Sequence, residues 1–141
     1  GKTGYTDKAK RTLVSTASYN NLNLVAVTLN DGNDFDDHLN LYKLAFDSYR
    51  KIEILKKGIL NIYDEVYYGN YYLMINENFS YPITTDEEIS IKFELNDTPS
   101  SGIVGSAKVL INDEVIHTQD IEAYEVKKHA FSLTEWFNKI W

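Results

Sequence analysis

The first residues, Gly1-Lys2-Thr3-Gly4 followed by Tyr5, combine groups that can grip a carboxylate-bearing substrate. A lysine ammonium raises the local potential and attracts an anion. A threonine hydroxyl can donate a hydrogen bond to a carboxylate. Glycine on a strand lets a second backbone lie close, because no side chain stands in the way. The next amide, of Tyr5, can then point at a developing oxyanion. This is not a complete catalyst, since acyl transfer also needs a nucleophile and a base within reach of each other. Two other readings of the tripeptide stand beside this one. It fits a surface turn with an ordinary lysine. Gly1-Lys2-Thr3 also matches the last three positions of the phosphate loop G-x-x-x-x-G-K-[ST]. Such a loop opens directly into a helix, whereas Gly4 and a β-type run from Thr12 stand where that helix should be.

Other chemistry-bearing groups are weaker. Ser48-Tyr49-Arg50-Lys51 fits S-x-x-K and Ser18-Tyr19-Asn20 fits S-x-N, patterns short enough to arise by chance in this composition. Ser48 is expected at the end of a helix, where the dipole disfavours a developing anion. Ser18 is expected at a hairpin tip, on the order of 20 Å from the far end of its strand. Asp31, Asp34, Asp36, Asp37 and His38 suggest a metal, but a calcium loop counted from Asp31 lacks glycine at its sixth position and glutamate at its twelfth. They read instead as an acidic loop and first helical turn. His117 and His129 have no ligand partners at metal spacing and read as surface residues. No metal or cofactor is expected. The eleven tyrosines, Tyr63, Tyr67, Tyr68, Tyr71 and Tyr72 among them, suit either a sugar-binding surface or half-buried strands, and the second reading is favoured.

The chain has 141 residues, 43% hydrophobic and 25% charged, with a formal net charge of -7. That is enough for one ordinary domain or two small pieces. The acidic balance argues against nucleic acid, which needs a basic surface. The chain has no cysteine, which excludes disulfides, a thiol nucleophile and thiolate metal sites. No apolar run is long enough to span a bilayer.

The elements that must position these groups follow from periodicity. Residues 1–6 read as a strand. Thr12 to Ala17 and Leu22 to Leu29 read as a hairpin around Ser18-Tyr19-Asn20-Asn21. Phe35, Leu39, Tyr42, Phe46 and Tyr49 alternate at four and three, one face of a helix from about Asp34 to Arg50, with Asn33 or Asp34 as N-cap. After Lys56-Lys57-Gly58 come short β-type runs, Ile59 to Tyr68, Tyr71 to Ile75, Ile89 to Leu95, Val104 to Ile111 and Val115 to Ile121. Asn112-Asp113 is expected to turn a hairpin. This spacing predicts a small sandwich or barrel. In the tail, Ser132 and Glu135 make an S-x-x-E capping box, and Leu133, Trp136, Phe137 and Ile140 share a helical face.

Gly1 to Ala17, GKTGYTDKAKRTLVSTA, resembles the K-T-G strand, turn and following strand of the serine D-alanyl-D-alanine carboxypeptidases, the low-molecular-mass penicillin-binding proteins. Leu22 to Leu29 is similar to the last strand of their catalytic domain and Asp34 to Tyr49 to the helix that closes it. Val104-Gly105-Ser106, the Asn112-Asp113 hairpin and the aromatic tail resemble their second domain and membrane-associating end. The resemblance covers nearly the whole chain and is densest over its first third. It implies an α+β, mainly β fold. A remnant of an antiparallel-sheet catalytic domain (three strands and a helix) occupies residues 1–55, a small β-sandwich 56–130 and a short amphipathic helix 131–141. It implies that Lys2, Thr3 and Gly4 bind substrate and that the Tyr5 amide is one half of an oxyanion hole. The family's S-x-x-K nucleophile and S-x-N motif precede K-T-G, so they are expected upstream of residue 1. The chain alone is then expected to be inactive, as part of a hydrolase that trims peptidoglycan stem peptides through an acyl-enzyme, binds β-lactams and influences cell shape. The alternative is a non-catalytic cell-wall binding or spacer module. Expected partners are the stem peptide, β-lactams, and the upstream fragment or a second copy paired through open strand edges. Trp136, Phe137, Ile140 and Trp141 would complete the sandwich or touch a membrane. The implied location is extracytoplasmic, peripheral on the outer face of the bacterial cytoplasmic membrane.

Overall fold

The computed structural model describes residues 1–127. The expected tail helix, with Trp136, Phe137, Ile140 and Trp141, lies outside the described residues, as does His129. Strand β1 (Lys2–Thr6) leads to β2 (Lys10–Tyr19), which returns as β3 (Leu22–Leu29). They form an antiparallel sheet in the order β1-β2-β3, with β1 at one edge. Asn20 and Asn21 make the two-residue turn between β2 and β3, both at positive φ (47° and 62°). That left-handed pair matches the twist of the flanking strands, and asparagine tolerates it.

Helix α1 (Asp34–Ser48) crosses one face of this sheet. Its N-cap is Asn33, whose side chain makes no capping bond. The acidic first turn, Asp34, Asp36 and Asp37, suits the positive end of the helix dipole. Leu13, Leu22 and Ala26 are buried toward the helix. The opposite face leaves Val14, Val25, Val27 and Leu29 exposed, with Val14 opposite Val27 and Thr16 opposite Val25 in the register.

The helix is turned differently from its apolar stripe. Phe35 and Leu39 are 62% and 52% exposed, whereas Asp34 and His38 are buried. The reason lies in the strands. They offer Arg11, Ser15 and Thr28 to the first half of the helix, and polar partners there draw polar helix residues inward. Farther along, apolar contact takes over, with Tyr19 edge-on to Phe46 at 5.6 Å.

The remaining residues build two sheets around one core. β5 (Gly58–Ile59), β6 (Tyr71–Ile75), β8 (Ile89–Leu95), β9 (Gly102–Ile111) and β10 (Glu114–Glu125) form an antiparallel sheet in the order β5-β6-β10-β9-β8. β4 (Arg50–Leu55) and β7 (Phe79–Ile83) form a two-stranded sheet with Ile52 opposite Tyr81. Leu55 from β4 joins Leu73, Ile75, Val104, Val109 and Ile121 in the core, with Phe79 of β7 packed against them. The result is the expected small sandwich. Asn112 and Asp113, at φ 49° and 67°, turn the β9–β10 hairpin, in which Ile111 faces Glu114.

Two local expectations change. Of the run Ile59 to Tyr68, only Ile59 lies in a paired strand, the two-residue β5. Farther on, the Asp64 carboxylate accepts the amides of Val66 and Tyr67, and Tyr68 N–H donates to the Asp64 carbonyl. This local bonding makes a turn where β-propensity alone suggested a strand. β4 and β7 were not expected as strands. β7 contains Pro82, which a sheet interior excludes but an edge permits, and β7 pairs on one side only, with β4.

Candidate functional site

The K-T-G residues lie on the edge strand β1, and every residue from Lys2 to Thr6 is exposed. Register decides which way each faces. Lys2 stands opposite Val14 and Gly4 opposite Thr12, whereas Thr3 stands opposite Leu13 and Tyr5 opposite Arg11. Successive strand residues alternate between faces. Lys2 and Gly4 therefore share the open face with Val14 and Val27, while Thr3 and Tyr5 share the helix-covered face. A Cβ at position 4 would stand 2.9 Å from the Thr12 hydroxyl, so Gly4 keeps the outer face of β1 flat beside Lys2. The groups expected to act together thus straddle the sheet edge, where one extended peptide can meet both faces.

Between the start of β1 and helix α1 is a cavity of about 460 Å³, bordered by Thr3, Leu13, Ser15, Phe35, Leu39 and Tyr42. Its floor is a polar network that the sequence reading missed. Ser15 Oγ is 2.6 Å from His38 Nδ1 and 2.8 Å from Tyr42 Oη. Thr28 Oγ1 is 3.1 Å from His38 Nε2. The 2.6 Å serine–histidine approach has the distance of a nucleophile–base pair. The rest of a catalytic triad is lacking: a hydroxyl, not a carboxylate, holds the second ring nitrogen, and the serine lies in the middle of a strand covered by a helix. The network instead satisfies a buried imidazole and pins helix to sheet. Spacing offered a faint signal, because Asp34, His38 and Tyr42 fall at successive i, i+4 positions.

One turn earlier, Arg11 grips Asp34 through two parallel bonds, Nε to Oδ2 at 2.6 Å and Nη2 to Oδ1 at 3.0 Å. The Asp34 side chain is 2% exposed and that of Arg11 49%. Hydrogen bonding to Arg11 holds the Asp34 carboxyl below the usual carboxylate range against the opposing cost of burial. It raises the Arg11 guanidinium in turn. Asp37 is pushed up, chiefly by a hydrogen bond and charge from Asp31. The acidic segment therefore does not converge on one point: Asp34 and His38 turn inward, and Asp31 accepts the Asn33 amide at 2.8 Å. Among the described residues no three histidine, aspartate or glutamate side chains gather as a metal site.

The short serine motifs gather at the other end of the sheet. A larger cleft, about 610 Å³, is bordered by Ser18, Asn20, Lys51 and Glu53. Ser18 Oγ donates to Asn23 Oδ1 at 2.7 Å. Ser48 is the last residue of α1 and Lys51 already belongs to β4, so S-x-x-K does not lie on one helix. Lys2 faces Val14, which leaves Ser18 roughly 13 Å farther along the strand. Volume is a poor guide to chemistry here: the larger cleft is the one remote from the K-T-G edge.

A three-stranded antiparallel sheet with a helix on one face, joined to a small β-sandwich, is similar in fold to part of a D-alanyl-D-alanine carboxypeptidase. Two solved structures carry that likeness. The D-alanyl-D-alanine carboxypeptidase DacD from Francisella tularensis superposes with a TM-score of 0.64 at 20% identity, over 91% of this chain and 36% of that one. Penicillin binding protein 5 from Haemophilus influenzae superposes with a TM-score of 0.63 at 18% identity, over 87% of this chain and 40% of that one. This chain thus spans well under half the length of either. No protein-family model and no curated protein matches the sequence.

Proposed function

We propose that this chain is part of a serine D-Ala-D-Ala carboxypeptidase that trims peptidoglycan stem peptides outside the cytoplasm, and that it supplies the substrate-binding edge. The observation that carries the reading is an exposed edge strand bearing Lys2-Thr3-Gly4 within a fold shared with a D-alanyl-D-alanine carboxypeptidase and a penicillin binding protein. In this role Lys2 raises the potential at the serine and its base from the open face. Thr3 donates to the terminal carboxylate of the stem peptide or of a penicillin. Gly4 lets the peptide run along β1, and the Tyr5 amide faces the oxyanion.

The attacking serine and its base come from the part of such an enzyme that this chain does not span. The exposed Val14, Val25, Val27 and Leu29 support packing of that part on the open face, where Lys2 would meet it. We place the passage between the two parts at Tyr49 rather than at residue 55, because β4 is hydrogen-bonded to β7. Among the described residues no helix is long and apolar enough to cross a membrane.

Fluorescent penicillin tests the reading. The isolated chain is expected to take up no label. Co-expressed with a segment bearing S-x-x-K and S-x-N, it is expected to restore labelling of that segment, and Thr3→Ala to weaken it. Label on the isolated chain would overturn the division of labour. No restoration with a folded partner segment favours the non-catalytic module.

A further inference from the structure

The loop between β5 and β6 holds tyrosines in water on a rigid frame. Tyr67 is driven into the sandwich core, 2% exposed, with its hydroxyl 3.2 Å from the Asn96 carbonyl and 3.1 Å from that of Thr98. Tyr71 packs edge-on against it at 5.7 Å. Bonds from Leu60 N–H to the Leu73 carbonyl and from Val126 N–H to the Asn70 carbonyl fasten the two ends of the loop. On this support Tyr63 and Tyr68 stand 72% and 69% exposed, their rings 5.1 Å apart and tilted by 51°. Beside them Tyr72 and Tyr124 stack at 5.4 Å and 13°, 37% and 38% exposed. A depression of about 240 Å³ is bordered by two of these rings, Tyr68 and Tyr72, with Asn61, Asp64 and Gly69, and Tyr63 stands next to it through its contact with Tyr68.

We infer that this tyrosine-rimmed depression binds a neutral β-linked pyranoside chain, one sugar ring in the depression and the next on the exposed rings. Sugar rings have an apolar C–H face and a rim of hydroxyls. The negative face of an aromatic ring attracts the slightly positive C–H hydrogens. Asn61, Asp64 and the tyrosine hydroxyls offer both donors and acceptors to the rim. At about 240 Å³ the depression lies below the roughly 300–1,000 Å³ of a drug-sized pocket, so it would hold a small part of a chain and not a whole large ligand. Charge selects as well. No lysine or arginine lines the depression, Asp64 does, and the whole chain carries -7. A phosphate-rich polymer or an anionic lipid surface would be repelled, whereas a neutral saccharide would not. The loop is tied at both ends and anchored by buried Tyr67, which lowers the ordering cost of a weak, repeated contact along a polymer.

The site is remote from the K-T-G edge, and the inference does not depend on what that edge does. Its test is a heteronuclear NMR titration of the full chain with chitohexaose and, separately, cellohexaose. Progressive shifts at Tyr63, Tyr68, Gly69 and Tyr72 are expected with at least one of them. The double variant Tyr63→Ala/Tyr68→Ala alters exposed rings only and is expected to keep the dispersed spectrum while weakening binding by roughly tenfold or more, the worth of one good ring contact. No shift at millimolar sugar in a folded sample would refute the site. So would unchanged binding by the double variant, or evidence from sedimentation that these tyrosines pair two copies of the chain.

Discussion

Replacing Gly105 by alanine probes the packing on which the sandwich rests. Gly105 lies on β9 opposite Leu95 of β8 and Ile121 of β10, next to a register shift between Ile121 and Glu122. The backbone of β8 runs close beside it. A Cβ at position 105 would collide with the Glu94 carbonyl oxygen and stand 2.9 Å from Leu95 Cα and 3.0 Å from Glu94 C. All three obstacles are backbone, so no rotamer change relieves them. β8 must move away, although it is held to β9 through the pairs from Ile89–Ile111 to Leu95–Gly105. Overpacking of this kind costs about 1–3 kcal/mol. For a domain of this size each kcal/mol lowers the melting temperature by roughly 4–8 °C. Gly102→Ala is the control. It sits three residues earlier at φ 95° with nothing within 4 Å of a new Cβ, so only the left-handed backbone opposes it, at about 1–2 kcal/mol. Thermal unfolding followed by circular dichroism, with hydrogen exchange at β8 amides, separates the two. Gly105→Ala is expected to loosen β8 selectively, and Gly102→Ala to leave β8 protection intact. A Gly105→Ala protein with unchanged melting temperature and β8 protection would refute the close-approach argument.

Two further outcomes follow from buried polar groups. Tyr67→Phe removes the hydroxyl shared by the Asn96 and Thr98 carbonyls while keeping the ring. It should cost about 1 kcal/mol in chemical denaturation, and exchange should quicken around residues 96–98. The Asp34 carboxyl is held below its ordinary range by Arg11. Its stabilising effect is therefore complete above the unfolded-state value, about 4, and is lost as pH falls through the lower folded value. Helix α1 should keep its exchange protection down to about pH 4 and lose it below. Asp34→Asn should be weaker at neutral pH and show a flatter acid limb. An acid limb identical in both proteins would count against the pair.

Much of the architecture was legible in the residues. Asn20-Asn21 and Asn112-Asp113 announced hairpins because few other residues accept two successive left-handed conformations. The three-four spacing of Phe35, Leu39, Tyr42 and Phe46 announced the helix. Two strands escaped notice for different reasons. Arg50–Leu55 alternates as a strand should, but it lies against the charged stretch that looked like a boundary. Phe79–Ile83 contains Pro82, a strand breaker unless the strand is unpaired on one side, and that depends on its neighbours.

The candidate site divides along the same line. By itself, the sequence determined that a lysine, a threonine and a glycine stand together on a strand, because residue type and order are local facts. Only the tertiary structure decided that this strand is an edge, that Lys2 and Thr3 face opposite sides of the sheet, and that Asp34 and His38 are buried while Phe35 and Leu39 are not. Those outcomes depend on register and on what Arg11, Ser15 and Thr28 offer across a separation of ten or more residues. No periodicity within the helix can specify partners supplied by another element.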